Sequence, residues 1–193
     1  MKITTLAKRI EKSNEKFNSM TKEQKKVQIA KDCIDRIMLE QLSAVEGSLV
    51  KFSTIDKFQK HDEKTSVKTV LNTVDAPKCE VCAKGGLFLS YVGRTNEFNV
   101  NDFSPLNPNH FGGSEHQKLL EIFSHRELAY IEYAFEDGQF LYYDSVNNCN
   151  IEFTVSERNA IREFYNLYPS NNDRLIAICQ NIIKNKGTFT LTN

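Results

Sequence analysis

Two cysteines three residues apart, Cys79 and Cys82, are the sharpest chemical feature of the chain. The run Cys79–Val92 (CEVCAKGGLFLSYV) reads as one apolar helix with Pro77 ahead of it. Positions i and i+3 then share a face, and the N-terminal dipole would favour a thiolate there. Three chemistries are open to such a pair. Structural zinc needs two further ligands, drawn from His110, His116, His125 and Cys149. Thiol redox needs a strand ahead of the motif inside a βαβ unit. A Cys–His nucleophile needs a partner that no local signature supplies. With no second Cys-x-x-Cys and no His-x3–5-His pair, the spacing favours two small apolar side chains packed at a helix start. No catalytic residue, metal ligand set or cofactor is therefore assigned, and the chain is not expected to be an enzyme.

A second constellation follows. Gly93 to Gly113 is long, rich in Asn, Pro and Phe, and without helical period; loops of this length inside a domain are often functional. It ends in His110-Phe111-Gly112-Gly113-Ser114 just ahead of a helix. Glycines admit a ligand close to the backbone, and a helix N-terminus offers free N–H groups to an anion. Arg94 supplies charge, with Lys84 and Arg126 as further candidates, and Phe98, Phe103 and Phe111 could stack on a base. The candidate ligand-binding residues are thus Arg94, Phe98, Phe103, His110, Phe111, Gly112, Gly113 and Ser114. The pattern is neither a P-loop nor a dinucleotide fingerprint. A third cluster, Glu132, Glu136, Asp137 and Asp144, could bind a divalent cation. Its position opposite a predicted apolar face argues instead for a solvated helix side.

These groups must be placed by helices. Leu6–Phe17 reads as a short charged helix, and residues 1–20 as a peripheral helical arm on a single domain spanning 1–193. Thr21-Lys-Glu-Gln24 is a capping box opening a helix to about Leu42, with Val27, Ala30, Ile34, Ile37 and Met38 as its apolar stripe. Ser48–Phe52 is a short strand, and Val67–Val74 is ambiguous. Gly85 and Gly86 each weaken a helix by about 1 kcal/mol relative to Ala, so another backbone should pack closely there. Capping boxes at Ser114 and Ser124 open further helices, the second with Leu128, Ile131 and Phe135 on its apolar face. Gln139–Asp144 and Asn150–Val155 suit a hairpin. Helices follow over Ser156–Tyr168 and Asp173–Asn185, the last ended by Gly187. The expected fold is mainly α (α+β), a helical domain around a central buried helix with a small β-hairpin or sheet.

Composition narrows the function classes. Lys plus Arg equals Asp plus Glu at 25 each, so no global field draws the chain to nucleic acid or anionic lipid. Charge is nonetheless uneven: nine Lys/Arg against three Asp/Glu over residues 1–31, and two against seven over residues 115–144. That asymmetry would let a basic arm dock on an acidic partner or on a second copy. No apolar run is long enough for a membrane span, and no signal peptide opens the chain. Five scattered cysteines argue against a disulfide framework and for a reducing cytosol.

Four stretches taken together, Thr21–Asp32, Cys79–Val92, Phe123–Glu136 and Asp173–Phe189, resemble a family of small, mostly uncharacterised bacteriophage and prophage accessory proteins. The resemblance carries no catalytic residues. It implies a cytoplasmic role in a bacterial host, inhibiting antiviral defence by non-catalytic binding. Sequestration of a nucleotide-derived immune signal in the Gly93–Ser114 region is the leading expectation, and homo-oligomers with ligands between subunits are compatible with it. Direct binding of a host defence protein through a charged surface is the alternative, and a zinc-binding or thiol enzyme using Cys79 and Cys82 is the third.

Overall fold

The computed structural model describes residues 2–47, 49–52, 65–73, 76–102, 114–136, 143–144 and 149–191. Their order is α1 (Ile3–Asn18), α2 (Lys22–Met38), β1 (Leu42–Ala44), β2 (Val50–Phe52), α3 (Val67–Leu71), β3 (Cys79–Val81), α4 (Ala83–Val92), a 3-10 turn (Val100–Asp102), α5 (Ser114–Leu120), α6 (His125–Phe135), β4 (Tyr143–Asp144), β5 (Cys149–Asn150), α7 (Val155–Leu167) and α8 (Asn171–Lys184). The mainly helical α+β expectation holds. No helix among the described residues is long and apolar enough to cross a membrane.

Local chemistry sets several helix starts. Thr21 and Gln24 form a reciprocal capping box for α2, and Ser124 and Glu127 do the same for α6. Thr154 and Glu157 form a third, at α7. Helix ends are as specific. At α2 the amide of Gln41 reaches back to the Arg36 carbonyl and that of Glu40 to Ile37, with Glu40 left-handed. At α8, Gly187 reaches Ile182 and Lys186 reaches Ile183, with Lys186 left-handed. Both are Schellman closures. Gly187 adds a reason of its own: at φ +106°, a Cβ there would lie 2.5 Å from the Glu23 carbonyl oxygen.

The centre is α4, in which every residue from Ala83 to Val92 is buried. A helix apolar on all sides must be covered on all sides, and α2, α5, α6, β1 and β3 pack against it. α2 and α8 pack extensively on each other, and Gly86 lies in their seam. A Cβ on it would be 3.1 Å from both Cys33 Sγ of α2 and Leu175 Cδ2 of α8. Gly85 meets the backbone contact that its sequence demanded: a Cβ there would fall 1.5 Å from the Leu49 carbonyl oxygen.

The central helix is shorter than its sequence suggested. Cys79–Val81 is a strand, not a first helical turn. It lies in the middle of a three-stranded sheet of order β1-β3-β2. Leu42 pairs with Cys79 and Ala44 with Val81 in parallel, while Val50 pairs with Val81 and Phe52 with Cys79 antiparallel. Burial of Cys79 and Val81 around a half-buried Glu80 has period two. Cys82 is extended and is the N-cap of α4. Of the ambiguous stretch 67–74, Val67–Leu71 is helical. Of the hairpin expected over Gln139–Asp144 and Asn150–Val155, Tyr143–Asp144 (β4) pairs with Cys149–Asn150 (β5), whereas residues 151–154 form no strand and Val155 begins α7; residues 139–142 lie outside the described residues. Residues 1–20, read as an arm, form α1, which buries Leu6, Ile10 and Phe17.

Gly85→Ala is expected to destabilise the fold by about 3 kcal/mol or more, because a carbonyl must move. Gly86→Ala meets only side chains and is expected to cost about 1 kcal/mol. Urea denaturation of the two variants checks the order; equal losses would contradict the close backbone approach at Gly85.

Candidate functional site

The Cys-x-x-Cys pair does not form one site. Cys79 sits on β3 beside Arg36, its thiol donating to the Pro77 carbonyl at 3.6 Å. Cys82 caps α4 beside Glu132 and Lys84. Burial pushes each thiol up to about 12, with Glu132 adding to the shift at Cys82. The dipole-stabilised thiolate open to such a pair is disfavoured, because desolvation outweighs the helix terminus, and both cysteines pack as small buried side chains. Among the described residues, no three His, Cys, Asp or Glu side chains gather as a metal site.

Charge is instead buried in two assemblies. The first surrounds α4's N-terminus. Lys84 forms an ion pair with Glu132, the side chains 1% and 6% exposed. Burial pushes Lys84 down, opposed by Glu132; burial likewise pushes Glu132 up, opposed by Lys84. Glu136, one turn on, accepts the Gly47 amide at 2.9 and 3.0 Å on its two oxygens. Burial raises its pKa, the Gly47 bond works against the rise, and Glu46 reinforces it. Arg174 completes this end. It donates to Glu46 and to the Phe135 carbonyl at 2.7 Å each and lies 3.7 Å over the Tyr165 ring.

Glu132 and Glu136 were expected on a solvated face, and that expectation fails. α6 also buries Ala129, Tyr130 and Ala134 beside its predicted stripe, so no side of it is left to water at Glu132. Among the described residues of the acidic run, each carboxylate from Glu115 to Glu136 is buried or paired. Glu127 pairs with Lys26, Glu121 with Lys118 and the Tyr91 hydroxyl, and Glu115 is buried.

The second assembly holds Arg94. Its Nε and NH2 grip the two Asp32 oxygens, the latter at 3.0 Å, and NH1 donates to Ser13 Oγ at 2.9 Å. The guanidinium stacks 5.0 Å from the Phe17 ring. Arg9 and Gln28 donate to the same Asp32 at 3.2 Å each. Arg36 lies fully buried nearby, donating to Gln41, to the Leu71 carbonyl and to Asn72. Bidentate pairing to a buried carboxylate gives Arg94 a structural task, tying α1 and α2 to the end of α4.

The other candidate ligand residues divide. Phe98 is 4% exposed and meets Phe88 edge-on at 5.0 Å, so it belongs to the core. Ser114 begins α5 and donates to the Asp102 carbonyl at 2.7 Å. Phe103, His110, Phe111, Gly112 and Gly113 lie outside the described residues. Lys84 and Arg126, weighed as extra charges, are committed to Glu132 and Glu157. Sequence reasoning missed the role of Asp32, because its partner Arg94 is 62 positions away.

Uncommitted charge of both signs is at the surface, and Glu11 and Glu15 of α1 are exposed alongside the lysines. Lys2, Lys8, Lys12, Lys16, Lys22 and Lys31 are exposed, and the described residues give none of them an ion pair. Comparison with protein-family models, with curated proteins and with solved structures finds no match for this chain.

Two predictions follow from the acidic end. Lys84→Met or Glu132→Gln alone is expected to destabilise by about 3–5 kcal/mol, leaving one buried charge, while Lys84→Met with Glu132→Leu is expected to be near neutral. Chemical denaturation of the singles and the double decides this. For Glu136, a raised folded-state pKa means its favourable contribution is complete below the ordinary value of 4.5 and is lost as pH rises through the raised value. Glu136→Gln keeps an acceptor for Gly47. Its stability relative to the parent is therefore expected to improve from pH 4.5 to 7.5, as read by thermal unfolding; a difference independent of pH would refute it.

Proposed function

We propose that this chain is a phage-type accessory protein acting in the bacterial cytoplasm by stoichiometric, non-catalytic binding, and that it inhibits host defence by engaging an acidic host protein through the basic surface of α1 and the start of α2. The observation that carries this reading is the division of charge. The groups fit for chemistry are sealed inside: Cys79, Cys82, Lys84, Glu132, Arg36 and Arg94 are all buried. Lys2, Lys8, Lys12, Lys16, Lys22 and Lys31 face water. A zero net charge with one basic end steers an acidic partner locally without drawing the whole molecule to polyanions.

The nucleotide-sequestering alternative keeps only residues 103 and 110–113 together with Ser114, since Arg94 and Phe98 are committed to the fold. A thiol or zinc enzyme finds no support in two buried cysteines.

The test is a plaque assay on hosts carrying individual defence systems. The chain is expected to restore plating, and Lys8→Glu/Lys12→Glu/Lys16→Glu is expected to lower that restoration at least tenfold with its circular dichroism unchanged. A triple variant as active as the parent would refute the basic face. Intact nucleotide released from the purified protein on heating would favour sequestration instead.

A further inference from the structure

The basic surface is not featureless. Where α2 and α6 begin side by side, a groove of about 420 Å³ opens to solvent. Leu120, Ile122 and Phe123 give it an apolar lining; Lys22, Lys26 and His125 stand around it. Lys22 and His125 are the first residues of their helices, so the partial positive charges of two helix starts add to those of the side chains.

One carboxylate, Glu127, also lines the groove, and both of its oxygens are engaged. Oε1 pairs with Lys26 at 2.6 Å and Oε2 accepts the Ser124 amide at 2.9 Å. Lys26 in turn lies 5.4 Å from the Phe123 ring centroid and is 6% exposed. What remains at the mouth is Lys22, which is exposed. An apolar recess with one exposed lysine at its mouth is complementary to an apolar side chain next to a carboxylate. It suits neither a basic segment nor a purely polar one.

We propose that this groove receives an apolar anchor from an acidic segment of the partner protein, while Lys22 takes a neighbouring carboxylate. This rests on the basic-face reading above and adds to it a point of anchorage. Interfaces concentrate their energy in such seated anchors, and the surrounding charges chiefly set approach and register. The groove thereby converts a diffuse attraction into a sequence requirement on the partner.

The experiment uses the full chain and three fluorescein-labelled probes read by anisotropy: the peptide Asp-Glu-Asp-Phe-Asp-Glu-Asp, the same peptide with Ser for Phe, and a single-stranded DNA 12-mer. The Phe peptide is expected to bind at least tenfold tighter than the Ser peptide. Lys22→Glu is expected to weaken it at least tenfold. That variant alters an exposed first-turn position where an acid suits the helix, so folding is retained. Leu120→Asp, placed in the groove itself, is expected to abolish the preference for Phe over Ser. Equal binding of the two peptides would overturn the groove and leave the basic face standing. No binding of either peptide would also overturn the groove, with the basic face judged by its own plaque assay. DNA binding as tight as the Phe peptide would overturn the protein partner.

Discussion

A ten-residue helix with no face open to water governs the rest of this molecule. Because α4 is buried all round, something must cover each of its sides, and the cover has to come very close. Gly85 and Gly86 make that possible. The Leu49 carbonyl lies where a side chain on Gly85 would begin, and Cys33 and Leu175 press on Gly86 from two helices far apart in sequence. Helix propensity is given up at two positions so that a strand connection and the α2–α8 pair can close on one axis.

Enclosing α4 also encloses charge, and this shapes the functional reading. At its N-terminus Lys84 enters the interior and is matched by Glu132. Beyond its C-terminus Arg94 is matched by Asp32. Neither ion is at liberty to bind a ligand without leaving its partner desolvated and alone. Arg36 and Arg174 are held in the same way by carbonyls and amides at chain reversals. The interior electrostatics therefore serve to fasten helix ends.

Part of this was legible residue by residue. The capping boxes at Thr21 and Ser124, the apolar stripe of α6 and the extent of α8 all rest on contacts within four residues, so periodicity and side-chain type reveal them; the end of α2, expected near Leu42, falls at Met38 because Leu42 pairs with Cys79 in β1. The need for a close backbone at Gly85 was also readable, since paired glycines in an apolar helix call for a reason. Cys79–Val81 was not readable in that way. Its strand state depends on hydrogen-bonding edges supplied by β1 and β2, from 27 to 37 residues upstream in pairing register. Only Glu80 between two apolar residues hinted at period two. Arg94, Phe98, Glu132 and Glu136 were misplaced for one common reason. A polar or loop-borne residue looks available until the element that covers it is known.

The Cys79–Val92 segment separates the two levels. Its sequence alone determined that it would be buried and central, because an apolar run with no polar face has nowhere else to go. It likewise determined that the N-terminal region would be basic, since charge counts need no coordinates. Tertiary structure alone decided where the strand ends and the helix begins, which of the charges are shut away, and that the thiols lie in separate surroundings. Burial and pairing are properties of neighbours distant in the chain, and desolvation of a group is set by what closes over it.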